Sequence, residues 1–356
     1  MIYAQGNPTN LVCRPLTLER SQQWDDFVRS QSGGTAFHLL AWQRTICRVF
    51  GHEPFYLMAE DARNGDLRGV LPLFLVRSRI FGKMLISTPQ AVYGGILAQV
   101  PEAERLLLEK AREIGHKEGA KFVEFRQFAS GIADPSLATR DLYVTFRQQI
   151  FSDSEKNMQA IPRKTRAEIR EGIRNDLEFK VDSISTAEFY AIYARSVREL
   201  GTPVFPIRLF SIGREEFGGQ HCKIFSVHWR GRAVAAVWTL FYKQEVLPYY
   251  GGSLREFNRL AVNNFMYWML IKYGCDSGYQ TYDFGRSKKG SGSYNFKKRW
   301  GMVEIDLPYQ YALIKQKTMP DMSPLNPKFS LGIRVWRRLP LFVTNAIGPL
   351  ISRHLT

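Results

Sequence analysis

The sequence predicts an α/β protein of two like halves, each a mixed, mostly antiparallel sheet covered by helices. Three observations predict it. Two stretches of chain repeat one order of elements: strand, strand, a strand ending in Tyr-Gly-Gly, helix, Gly, strand. From the second Gly of each pair to the Gly before the last strand is 24 residues in one stretch and 26 in the other. A chain of 356 residues with 45% hydrophobic and 13% aromatic side chains has enough apolar material for two cores, which excludes a disordered chain.

In the first half, FYLMAED (55–61) and LRGVLPLFLV (67–76) read as strands, and a later strand ends at Tyr93-Gly94-Gly95. A helix follows from Pro101 to about Lys117. Ala103, Leu107, Ala111 and Ile114 recur at helical spacing, Pro101 suits a first turn and Gly119 an exit. KFVEFR (121–126) is the closing strand. In the second half the strands are KIFSVHW (223–229), AVAAVWTLFY (233–242) and VLPYYGG (246–252). A helix from about Asn258 to Tyr273 is apolar nearly all round, so it is expected to be buried. QTYDFGR (280–286) closes the half.

These readings divide the chain into 1–155, 156–320 with a basic opening helix, and a basic amphipathic tail, 321–356. The opening helix carries Arg163, Arg166, Arg170 and Arg174 on one face. That face is either solvated or a phosphate comb, since guanidinium groups match phosphate oxygens in pairs. From Met322 to Thr356 there is no acid; Lys328, Arg334, Arg337, Arg338 and Arg353 alternate with apolar residues, and Pro340 and Pro349 break the stretch into short pieces. The tail either packs on the body or lies on a membrane surface.

The net charge is +16 and the pI about 9.7. This favours polyanionic partners: nucleic acid, phosphorylated carriers, nucleotide cofactors or an anionic membrane. Four scattered cysteines, with no CxxC, fit reduced, buried thiols. The polar start MIYAQGNPTN shows no signal peptide, and no apolar run reaches 18 residues. The expected location is the cytoplasm, with peripheral attachment to the inner membrane face as an open extension.

The most informative stretch is DFGRSKKGSGSYNFKKRWG (283–301). After Asp283 it holds six cations and no acid, with Tyr294, Phe296 and Trp300 interleaved. Gly285, Gly290 and Gly292 allow backbone amides to turn toward an anion, and with Arg286, Lys288 and Lys289 they form a phosphate-binding candidate. The stretch is no P-loop, because Ser291 follows Gly290, and it opens no clear helix. The six histidines form no metal-ligand pattern, and no GxSxG elbow is present, so no metal is expected. His38 and His52 flank Trp42 and are candidates for lining a substrate cleft.

Acyl transfer to an amine fits these residues. It needs no metal and no protein nucleophile, only an anchored donor, hydrogen-bond donors for the tetrahedral oxyanion and a route for a proton. Pro248 removes a ladder donor from VLPYYGG, so this strand is an edge or carries a bulge. Its Tyr249 and Tyr250 are then candidates for facing a ligand.

FHLLAWQRTICRVFGHEPFYLMAE, GVLPLFLVRSRIFGKMLIS, YGGILA, SVRELGTPVFP, VLPYYGG and DFGRSKKGSGSYNFKKRWG resemble the Fem family of aminoacyl and acyl transferases. The resemblance is nearest to the FemAB-like proteins of exosortase (PEP-CTERM) exopolysaccharide loci, and it covers about residues 30–315. It implies two tandem GNAT-type domains and N-acyl transfer to an amine of an exopolysaccharide or cell-envelope precursor. The donor is acyl-CoA or aminoacyl-tRNA. It also implies that Phe296-Lys297 match a Phe-Lys pair lining the site, with Lys297 stabilising the transition state. Asp283 would orient Lys297 or accept a proton, and Tyr294 would shape the pocket. Acceptor diphosphate would meet basic residues near Trp42 and on the opening helix (Arg166, Arg170). Thr45 stands where the family has a lysine, leaving Arg44 and Arg48 as substitutes. The GNAT pyrophosphate signature [RQ]xxGx[GA] is absent. Two other readings stay open: a non-catalytic RNA- or polyanion-binding protein, and a membrane-associated scaffold of a polysaccharide system.

Overall fold

The computed structural model describes residues 10–79, 81–319 and 327–355. The chain divides into two compact units, 1–141 with 307–320, and 142–306 with 321–356.

The first unit contains β1 (Leu11–Pro15), α1 (Ser21–Ser30), α2 (Leu40–Phe50), β2 (Glu53–Pro54), β3 (Leu57–Asp61), β4 (Leu67–Leu71), β5 (Phe74–Ser78), β6 (Gly82–Ile86), β7 (Leu97–Ala98), α3 (Pro101–Glu118) and β8 (Phe122–Arg126). β1, β3, β4 and β7 form one antiparallel sheet under α3. β8, β6, β5 and β2 follow one another in a second. Leu107, Ala111, Leu57, Leu85 and Phe125 are buried in one cluster, so α3 presents the apolar stripe its spacing predicts. Gly119 ends it at φ 68°.

Two expectations fail here. LRGVLPLFLV is not one strand: Pro72 lacks the N–H a ladder needs, and the chain breaks there into β4 and β5, which join different sheets. Tyr93-Gly94-Gly95 lies in a loop, with Gly94 at φ 140°, not at a strand end.

The second unit contains β9 (Ala138–Gln149, from Leu142), α4 (Ser154–Ala160), α5 (Arg163–Arg174), β10 (Leu177–Val181), α6 (Thr186–Leu200), α7 (Arg208–Phe217), β11 (Cys222–Trp229), β12 (Arg232–Tyr242), β13 (Glu245–Ser253), α8 (Val262–Asp276), β14 (Thr281–Asp283), β15 (Ser287–Lys288), α9 (Gly292–Lys298), the first residues of β16 (Val303–Leu313), α10 (Pro327–Trp336) and α11 (Leu341–Ser352). From Leu307, β16 belongs to the first unit, where it pairs with β8.

The sheet order in the second unit is β10-β11-β12-β13-β14-β9, antiparallel except for β13 with β14. Alternation along β12 sends Trp238 to Phe210 of α7 and Phe241 to Tyr273 of α8. Helices α6 and α7 therefore cover one face and α8 the other. The helix expected from Asn258 begins only at Val262, because Ala261 takes a left-handed φ of 55° after a 3-10 turn.

β13 carries the bulge that Pro248 predicts. Trp238 pairs with Tyr250 and Thr239 with Pro248, leaving Tyr249 as the extra residue. The bulge exchanges faces. Val246 lies against Gly274 of α8, whereas Tyr250 and Gly252 meet α6. A Cβ on Gly252 would sit 2.7 Å from Ser196 Cβ and 3.3 Å from the backbone of Tyr193. Gly252→Ala is expected to destabilise the protein by about 1–3 kcal/mol through overpacking. Denaturant unfolding checks this, and an unchanged midpoint would mean that α6 yields at no cost.

Candidate active site

The chemistry-bearing residues of the second unit converge where β14 ends. β14 pairs with β13 only at Glu245↔Thr281 and Val246↔Tyr282. Beyond Val246 the two strands part, and, among the described residues, 247–253 of β13 keep only β12 as partner. The bulge at Tyr249, in the ladder with β12, falls within this stretch.

Asp283 closes β14 and is fully buried. Its Oδ1 accepts from Thr145 Oγ and, at 2.7 Å, from the Gly285 amide. Its Oδ2 faces Arg147 Nε at 3.4 Å. The carboxylate thus holds the turn in which Gly285 takes φ 69°. With no exposed surface it positions the loop, and this geometry does not support the expected part as a proton acceptor from substrate.

The segment after Asp283 does contain a helix, against expectation. β15 pairs with Tyr143 and Val144 of β9, and Ser291 caps α9 by accepting from the Tyr294 amide at 3.2 Å. Gly290 uses its freedom at φ 78°, whereas Gly292 is the first residue of α9. The amides of Lys289, Ser291 and Tyr294 already donate to Leu142 O, Lys288 O and Ser291 Oγ, so they form no open phosphate cradle.

α9 places Phe296 and Lys297 on the inner side. Phe296 packs with Tyr267, Phe284 and Trp300. Lys297 Nζ donates to the carbonyls of Phe284 (2.6 Å), Gly285 (2.9 Å) and Arg286 (3.3 Å). An ammonium has three protons, and these contacts use all three. Burial pushes the Lys297 amine down from 10.5 to about 7, with Asp283 acting against the shift and Arg286 with it. The Lys297 side chain is half-buried, and a desolvated cation poised between its two forms is unusual outside functional sites.

Tyr294 points elsewhere. Its hydroxyl donates to Glu304 (3.1 Å) and accepts from Lys298 (3.2 Å), on an exposed side. The rings of Tyr249 and Tyr250 meet at 4.3 Å, tilted by 49°. Burial pushes the Tyr250 phenol well above 10, Tyr249 and Tyr193 add to this, and Arg286 opposes it. The guanidinium of Arg286 also lies 4.9 Å over the ring of Tyr143. Arg286 therefore sits within electrostatic reach of the β13 bulge.

Thr165 Oγ donates to the Arg299 carbonyl at 2.7 Å, which sets the first turn of α5 against the end of α9. Arg166, next in that turn, has a buried Nε that makes no hydrogen bond among the described residues. Arg170 is exposed one turn on, and Arg174 pairs with Glu171 at 2.6 Å. Lys289 pairs with Asp306 at 2.8 Å, which offsets its charge, and Lys288 is partly buried in β15.

The first-unit candidates are placed differently. Trp42 is fully buried, packs edge-on against Phe37 and donates its indole N–H to Pro89 O at 3.3 Å. His38 is buried too: Nδ1 accepts from the Thr35 amide at 3.2 Å and Nε2 donates to Gly95 O at 3.1 Å. Both side chains build the core and have no surface for a substrate, so the expectation of a cleft lined by them is corrected. His52 is buried as well, stacked on Phe50. Arg44 is exposed on α2.

Tyr143, Thr145 and Arg147 of β9, and Tyr267 of α8, were not among the sequence candidates. On β9 the apolar Val144 and Phe146 alternate with Tyr143, Thr145 and Arg147, which was the available signal for that strand. The four cysteines are free, with Cys222 and Cys275 buried and Cys13 and Cys47 partly so. Among the described residues, no three metal-ligating side chains gather and no helix is long and apolar enough to cross a membrane.

Residues 162–298 match the acetyltransferase (GNAT) domain family. The chain is an acyltransferase. The match begins at Pro162, before α5, and ends at Lys298, the end of α9, so it includes Arg166, Asp283, Arg286, Phe296 and Lys297. The fold is similar to that of FemX, at 15% identity and a TM-score of 0.63, over 85% of this chain and 98% of that one. It is also similar to L-PGS from Bacillus licheniformis (15% identity, TM-score 0.55, 89% of this chain and 97% of that one). A tandem GNAT protein from the clavulanic acid biosynthesis pathway matches at 13% identity and a TM-score of 0.55, over 86% of this chain and 100% of that one. No curated protein matches the sequence. These likenesses fit two tandem GNAT-like domains, each a mostly antiparallel sheet with helices.

Proposed function

We propose that this acyltransferase moves an acyl group from acyl-CoA or aminoacyl-tRNA to an amine of an exopolysaccharide or cell-envelope precursor, on the cytoplasmic side of the envelope. The observation that carries the reading is the parting of β13 from β14 beside a bulge and a half-buried lysine. Parted parallel strands leave backbone groups that an extended donor arm can pair with. In this reading the donor lies along Tyr249–Ser253 with its carbonyl near the loop 284–286.

The acceptor nitrogen attacks that carbonyl carbon, a C–N bond forms, and the oxygen becomes an oxyanion. Lys297 exchanges its longest bond, the 3.3 Å contact to Arg286 O, for the oxyanion. The C–S or C–O bond then breaks, and the proton lost by the amine passes to the departing sulfur or oxygen. Phe296 shapes the pocket, Asp283 holds the turn, and Arg286 and Arg166 offer guanidinium groups to donor or acceptor phosphates. The motif likeness to the FemAB-like proteins of exosortase-associated loci supports the polysaccharide acceptor.

Thermal unfolding with acyl-CoAs, aminoacyl-tRNAs and sugar nucleotides tests this. One donor class is expected to raise Tm, by the equivalent of about 2.7 kcal/mol at a hundred times its Kd. If no donor shifts Tm while RNA of any sequence binds with steep salt dependence, the protein is a polyanion binder instead.

A further inference from the structure

We infer that the outer face of α11 docks the protein on an anionic lipid bilayer. This stands apart from the acyl-transfer reading, since no residue of the candidate site takes part.

α11 is seated the opposite way round from an ordinary surface helix. Its buried side is Thr344, Gly348 and Ser352, spaced by four. That side packs on α6 and its flanking loop so closely that a Cβ on Gly348 would lie 2.8 Å from Val204 Cγ1 and 3.0 Å from its backbone nitrogen. The exposed side is Phe342, Ala346, Ile347 and Leu350. Every exposed residue of the helix is apolar, and Phe342 and Leu350 are 76% and 63% exposed. A water-facing helix would turn Thr344 and Ser352 outward and bury Phe342 and Leu350. The close seat at Gly348 fixes this orientation, so the apolar face is a fixed feature of the surface. Val335 and Leu200 are also 51% and 66% exposed, and Arg337 Nη2 bonds the Leu200 carbonyl at 3.1 Å.

Charge identifies the occupant. Residues 322–356 contain no acid, and α11 itself contains no charge. Arg334, Arg337 and Arg338 precede it and Arg353 follows it, so cations flank an apolar patch at both ends. Lipid phosphates neutralise such arginines while acyl chains take up the phenyl and leucyl groups. A second copy would instead bring two sets of arginines together on chains of net charge +16 each. Twelve residues of helix span about 18 Å, short of the ~30 Å hydrocarbon core, so α11 lies along the surface.

The test is flotation of the purified full chain with vesicles of phosphatidylglycerol and phosphatidylethanolamine, against vesicles of phosphatidylcholine alone. Binding is expected only to the anionic vesicles. The double substitution Phe342→Ser with Leu350→Ser is expected to lower the partition at least about tenfold. Arg334→Ala with Arg338→Ala is expected to lower it about 10–30-fold. The unfolding midpoint should stay unchanged in both, because these side chains are exposed. Absence of flotation by the unsubstituted chain, or equal flotation of the serine variant, overturns the inference. So does a dimer in light scattering that the serine variant dissolves, which would assign the face to a second copy.

Discussion

Lys297→Ala is expected to lower kcat about 10²–10³-fold, the magnitude for removing one oxyanion donor. The substitution also strands carbonyls of Phe284, Gly285 and Arg286, and an unsatisfied buried acceptor costs about 1–3 kcal/mol. Activity and folding must therefore be separated, and pH does this. The proposed role needs the charged amine, whose folded value burial lowers to about 7. The rate of the unsubstituted enzyme should be level below that pH and fall above it. Lys297→Met should be slow and lack that limb. Stability should move the other way. Between about 7 and 10.5 the unfolded chain holds a proton on Lys297 that the folded chain has lost, so unfolding free energy rises with pH across that window. In Lys297→Met this contribution is absent. A rate in Lys297→Met near that of the unsubstituted enzyme would remove the residue from the mechanism. A stability curve that does not flatten would mean that the amine titrates outside the window.

Asp283→Ala is expected to cost about 3–5 kcal/mol of stability, the range for removing one partner of a buried ion pair. The Thr145 hydroxyl and the Gly285 amide lose their acceptor, and the guanidinium of Arg147 loses an ion partner. Arg147 keeps Glu245 at 2.8 Å, which favours the lower end. Asp283→Asn retains an acceptor oxygen and should cost less. Chemical denaturation measures both. A loss under about 1 kcal/mol in the alanine variant would mean that the turn at Gly285 holds without the carboxylate.

Much of the fold was legible because backbone rules are local. The stripe of α3, the bulge at Pro248 and the nearly all-apolar α8 each follow from residue types at fixed spacing, and each is present. The misreadings share one cause, which is that partners decide them. Pro72 could have ended a strand or sat at an edge, and only the neighbouring strands send β4 and β5 to different sheets. Pro340 separates α10 from α11, yet Pro349 remains inside α11. The stretch 283–301 was singled out by its charge, but its local form was misjudged. Ser291 as a cap and the pairing of β15 with β9 make a strand, a turn and a helix of a stretch expected to open no clear helix.

Composition and order determined the class of protein: two α/β halves, a basic surface, and one cationic aromatic segment chosen from 356 residues. Those properties depend on side-chain type and near neighbours, which a sequence carries whole. Tertiary structure alone decided the duties of single residues. It buried Trp42 and His38 in the first unit, spent the protons of Lys297 on three carbonyls, and turned Phe342 and Leu350 outward. Exposure and hydrogen-bond partners arise from residues far apart in the chain, and no local spacing encodes which of them will meet.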